Sequence, residues 1–89
     1  MNNEENENNG KYINLINQVR KYNYLKTIAE KENKIYYESK IQEIIDFFIN
    51  ENYHGIAIML ENNRCRDAAL LVKVYNDKNY QNFIENTDL

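Results

Sequence analysis

The sequence predicts an all-α fold: a small antiparallel bundle of four to five helices, with a long N-terminal helix, shorter helical hairpins after it and a disordered N-terminal tail. Three observations carry that expectation. Apolar residues recur at i, i+3, i+4 and i+7 in Tyr12-Leu15-Ile16-Val19, in Tyr53-Ile56-Ala57-Leu60 and in Cys65-Ala68-Ala69-Val72, the period of one helical face. Proline is absent and glycine occurs only at positions 10 and 55, too little turn chemistry for several β-hairpins. From residue 37 on, the breaks between apolar stretches are short and polar, which favours antiparallel neighbours.

Residues 1–10 hold no apolar side chain after Met1. Such a stretch cannot bury enough surface to offset its ordering entropy, so an acidic, Asn-rich disordered tail is expected there. A single helical domain is expected over residues 11–86, with a frayed end at 87–89. Its first helix is placed from about Lys11 to about Lys31. The stripe of Tyr12, Leu15, Ile16, Val19 and Tyr22 gives way to Leu25, Ile28 and Ala29, which have rotated around the helix. Either a bend near Tyr22-Asn23 or two faces with different neighbours follows from that rotation.

Glu32-Asn33-Lys34 is expected as a polar break. The second helix covers roughly Ile35 to Ile49, with Tyr37, Ile41, Ile44, Ile45 and Phe48 on its buried face. Asn50-Glu51-Asn52 reads as a turn in which Asn serves as a helix cap. The third and fourth helices run from about Tyr53 to Glu61 and from about Arg66 to Tyr75, and Tyr80, Phe83 and Ile84 make a last short turn. The stretch from Tyr53 to Tyr75 is the most apolar, and its alanines predict close helix approach, so it is expected at the centre of the domain.

At 89 residues the chain makes one domain at most, with a modest core. The formal net charge is −3, and Glu4, Glu5 and Glu7 account for all of it. Residues 10–89 then carry 11 acidic and 11 basic side chains. A balanced body lacks the electrostatic footprint of a nucleic-acid binder and of a polybasic membrane patch, so neither nucleic acid nor membrane is an expected partner. One cysteine makes no internal disulfide and fits a reducing, cytoplasmic compartment. No secretory signal pattern opens the chain, and no apolar stretch is long enough to cross a bilayer. Asn, Lys, Ile, Tyr and Glu all have A/T-rich codons; codon bias explains the many scattered Asn residues, which carry little functional weight.

Catalytic chemistry has little to stand on. His54 is the single histidine and Cys65 the single cysteine, so neither a metal site nor a cofactor is expected. Cys65 is flanked by Arg64 and Arg66, which would activate a thiol, but it shares an apolar face with Ala68, Ala69 and Val72 and reads as an inert core residue. The carboxylates Glu38, Glu43, Asp46, Glu51, Glu61, Asp67 and Asp77 are spread along solvent faces, with no calcium-loop spacing and no HExxH. The chain is not expected to be an enzyme.

Tyrosine is the distinctive feature, with eight in 89 residues. Exposed tyrosines supply large contact area at low entropy cost and are enriched at protein interfaces. The expected function is therefore a non-catalytic protein–protein interaction module, a small adaptor, inhibitor or assembly subunit. Its candidate binding residues are Tyr12, Tyr22, Tyr24, Leu25, Tyr36 and Tyr37, and its partner is another protein or a second copy in a homodimer. The alternative is a helix-turn-helix-like DNA-binding regulator, since residues 56–75 have the outline helix, tight turn, helix. Arg64, Arg66 and Lys73 make a thin basic face there, and Asp67 would repel phosphates.

Overall fold

The computed structural model describes residues 3–75. The chain forms α1 (Asn3–Ile28), α2 (Lys31–Asn50), α3 (His54–Glu61) and α4 (Cys65–Tyr75), with no strand among the described residues. α1 packs on α2 and α4, and α3 packs on α2 and α4, so each helix has two principal neighbours. The last turn expected at Tyr80, Phe83 and Ile84, and the fray at 87–89, lie outside the described residues.

Side-chain pairings give the direction of packing. Tyr12, early in α1, meets the end of α2, with ring centroids 5.7 Å from Phe48 and 6.1 Å from Phe47. Later in α1, Tyr22 stacks on Tyr37, early in α2, at 5.8 Å. α1 and α2 are therefore antiparallel. In the second hairpin a Cβ on Gly55, at the start of α3, would lie 2.7 Å from Tyr75 Oη at the end of α4 and 3.5 Å from Leu71 Cδ1. Those two helices are antiparallel as well, and only glycine fits so close an approach without displacing Tyr75.

The periodic stripes become the core. Tyr12, Ile16 and Val19 of α1 pack with Ile41, Ile44, Ile45 and Phe48 of α2, Ile56, Ala57 and Leu60 of α3, and Cys65, Ala68 and Val72 of α4. Leu15, Tyr22, Tyr53 and Ala69 pack against this cluster from its edge. An aromatic group closes one end, where Tyr53 lies 5.2 Å from Tyr12 and 5.6 Å from Tyr75.

Helix ends differ from the sequence expectation at three places. α1 begins at Asn3, so the backbone of residues 3–10, expected in the tail, forms its opening turns. Extending an existing helix adds one hydrogen bond per residue fixed. α1 passes Tyr22-Asn23 without interruption and stops at Ile28. The break falls at Ala29-Glu30, and Glu32-Asn33-Lys34 is the first turn of α2, where Lys34 N donates to Glu30 O at 2.9 Å. Without Gly or Pro no residue dictates the break, and Glu32 is favourable in a first turn.

The third difference concerns asparagine. Asn52 and Asn63 have φ of 66° and 60°, in the left-handed region. Each lies two residues past the end of its helix, and the hydrogen bonds repeat. Asn52 N donates to Ile49 O at 3.0 Å and Tyr53 N to Phe48 O at 2.8 Å; Asn63 N donates to Leu60 O at 3.1 Å and Arg64 N to Met59 O at 2.8 Å. Both ends are Schellman motifs, with Asn where glycine is usual. Asn52 thus closes α2 from behind, and Tyr53, not Asn, precedes α3. The tight turn before α4 needs no glycine because Asn63 reaches the left-handed conformation.

Candidate functional site

The core ends at Val19 on α1 and begins again at Ile41 on α2; no residue from 20 to 40 is buried. Helix length is the cause. Among the described residues α3 has 8 and α4 has 11, against 26 in α1 and 20 in α2. At 1.5 Å per residue the short pair, about 12 and 16 Å long, cannot cover the long hairpin. The α1–α2 tip therefore keeps its apolar side chains in solvent.

Those side chains are large. Tyr24 is 64% exposed, Ile28 66%, Ile35 60% and Tyr36 53%. Tyr36 meets Tyr37 edge-on at 5.5 Å, and Tyr37 stacks on Tyr22, so three rings run across the two helices. Lys40 Nζ sits 5.5 Å above the Tyr36 ring. Thr27 donates its hydroxyl hydrogen to Tyr24 O at 2.6 Å, within the helix. Behind the rings a groove of about 350 Å³ opens between α1 and α2, with Leu15, Tyr22, Ile44 and Phe47 as its apolar walls.

The structure brings Tyr22, Tyr36 and Tyr37 together and leaves Tyr24 and half-buried Leu25 on the same tip. Tyr12 departs from the expected binding set. It is 7% exposed, among Phe47, Phe48 and Tyr53 at the closed end of the core, and offers no surface to a partner. Burial, helped by the neighbouring Tyr53 and Glu51, pushes its hydroxyl up to about 12. Ile28 and Ile35 were missed by the sequence reading. Part of their signal was present, since both are apolar and neither falls on its helix's core stripe; that both flank the helix break was not legible.

Elsewhere the chemistry is spare. Cys65 is buried, and burial pushes its thiol up against the opposing pull of Arg20 and the Asn23 amide, whose Nδ2 is 3.9 Å from Sγ. A thiol so placed holds little thiolate at neutral pH. His54 is exposed at the start of α3. Among the described residues no group of three or more His, Cys, Asp or Glu side chains is placed to hold a metal, and no helix is long and apolar enough to cross a membrane. Arg64 is tied to Asp67, with Nε and Nη2 at 2.8 and 2.7 Å from Oδ2. The chain matches no family model, no curated protein and no solved structure.

Proposed function

We propose that this protein is a non-catalytic protein–protein interaction module, a small adaptor, inhibitor or assembly subunit, that binds through the α1–α2 tip. One observation carries the reading: the tip projects past the core with Tyr24, Ile28, Ile35 and Tyr36 exposed. Taking on the order of 200 Å² for a full side chain of this size, the four expose roughly 500 Å². A standard interface takes about 800 Å² from each partner, so these four side chains would supply the apolar centre of an interface completed by the polar residues around them.

A second copy of the chain is the partner this tip fits best. Its charges are mixed, with Lys31 and Lys34 beside Glu30, Glu32 and Glu38, so two tips meet without a field of one sign. A two-fold pairing presents the same patch twice, each tip covering the other. Nuclear magnetic resonance on dilution tests this. Amide signals of residues 22–37 should move as the dimer dissociates while those of 64–72 stay. Movement confined to 64–72, or none at any concentration, counts against the tip.

The DNA-binding alternative draws on the outline of α3, turn and α4. Its basic face is thinner than the sequence count, because the Arg64 guanidinium is engaged by Asp67. Arg66 and Lys73 remain, few for a phosphate backbone.

A further inference from the structure

We infer a second site, beside the exposed tyrosines and isoleucines of the tip: a cleft that takes the phosphate group of a small molecule, between the latter part of α1 and the first turn of α4. The cleft has a volume of about 480 Å³, within the range of small-molecule sites. Arg20 and Lys26 line it from α1 and Arg66 from α4, and Asn23 and Asn63 line it as well. No carboxylate lines it, although acids outnumber bases 14 to 11 in the chain.

Arg20, Lys26 and Arg66 have no ion-pair partner among the described residues, where the pairs formed are Lys40–Glu43 and Arg64–Asp67. The second pair matters here. Asp67 is the acid in the first turn of α4, and Arg64 neutralises it from outside the cleft. Lys26 also borders a neighbouring cleft that holds Glu38 and Glu61, so the phosphate is assigned chiefly to Arg20 and Arg66. Arg20 is close enough to the cleft floor that its charge pulls against the burial of the Cys65 thiol. Two guanidinium forks with amide donors beside them match the oxygens of a phosphate, which accepts paired N–H bonds. The Thr27 hydroxyl hydrogen is spent on Tyr24 O, which leaves its oxygen as an acceptor for a ligand hydroxyl.

The test uses the whole chain and three probes: inorganic phosphate, pyrophosphate and adenosine diphosphate, each against chloride at equal ionic strength. Saturable shifts of the Cys65, Arg66 and Asn23 amide signals are expected with at least one probe. Affinity should fall at least tenfold in Arg20→Gln and in Arg66→Gln and hold in Lys73→Gln. Saturation by phosphate itself would mark a small-anion site; saturation by the diphosphate alone would mark a larger phosphorylated ligand, and either supports the site. No saturable shift with any probe, or unchanged affinity in both arginine variants, would overturn it. All three substituted side chains are exposed, and circular dichroism checks that each variant is folded.

Discussion

Tyr12 gives the fold a pH dependence at the alkaline end. Its hydroxyl titrates near 10 in the unfolded chain and at about 12 in the fold. Between those values the unfolded chain has lost a proton that the folded chain keeps. Stability is therefore intact below pH 10 and falls as pH rises through the window, by roughly 2–3 kcal/mol in all. In Tyr12→Phe that part of the fall should vanish, and in the exposed Tyr24→Phe it should persist, read from urea midpoints between pH 9 and 12. Equal slopes in the wild type and Tyr12→Phe would contradict the placement of this hydroxyl. Asn63 gives a second residue-scale prediction. A β-branched side chain in the left-handed region costs on the order of 1–2 kcal/mol, so Asn63→Val should lower the melting temperature clearly. Asn63→Gly should leave it within a few tenths of a kcal/mol or raise it.

The helices divide into those that make the core and the hairpin end that overhangs it. Phe48 is fully buried against Tyr12 of α1 and Tyr53 just before α3, and Phe48→Ala should cost about 3–5 kcal/mol in denaturant unfolding. Ile35→Glu, on the overhang, should leave the monomer's unfolding unchanged because its side chain already faces water. A large loss at Ile35 would mean that the tip packs within its own chain. This division was half legible in the sequence. Period alone decides which face of a helix is buried, so Ile16, Val19, Ile41, Ile44, Phe48, Ile56, Leu60 and Val72 could be read directly. Both ends of α3 and the start of α4 were legible to within a residue, because polar residues interrupt strong stripes. The α1–α2 break was not, since Ala29-Glu30 carries no conformational signal. Asn52 and Asn63 were hidden among many asparagines; what marks them is φ, which the sequence does not display. Tyr12 was misassigned because tyrosines were weighed as a class, although its place in the Tyr12-Ile16-Val19 stripe already put it in the core.

At the scale of the whole chain, length mismatch between the two hairpins is the organising fact. The α3–α4 pair closes a core at one end of α1 and α2, with Gly55 and the aromatic group of Tyr12, Phe48, Tyr53 and Tyr75 fixing how tightly. It leaves the tip uncovered, besides single exposed side chains such as Ile58 and Leu70, and a core of this size gains stability when the tip is shared with a partner. The candidate binding surface was thus only partly visible from the sequence: Tyr22, Tyr24, Leu25, Tyr36 and Tyr37 share the tip, but Ile28 and Ile35 join them only once the overhang is known. The measurement that bears most directly on this is the solution mass by light scattering over a range of concentrations, for the wild type and for Ile28→Glu/Ile35→Glu. The wild type should rise from the 10.7 kDa of one chain toward twice that value with concentration, while the folded variant stays at the mass of one chain. A wild type that remains at one chain's mass throughout, or a variant that dimerises as the wild type does, would contradict the tip as the self-association surface.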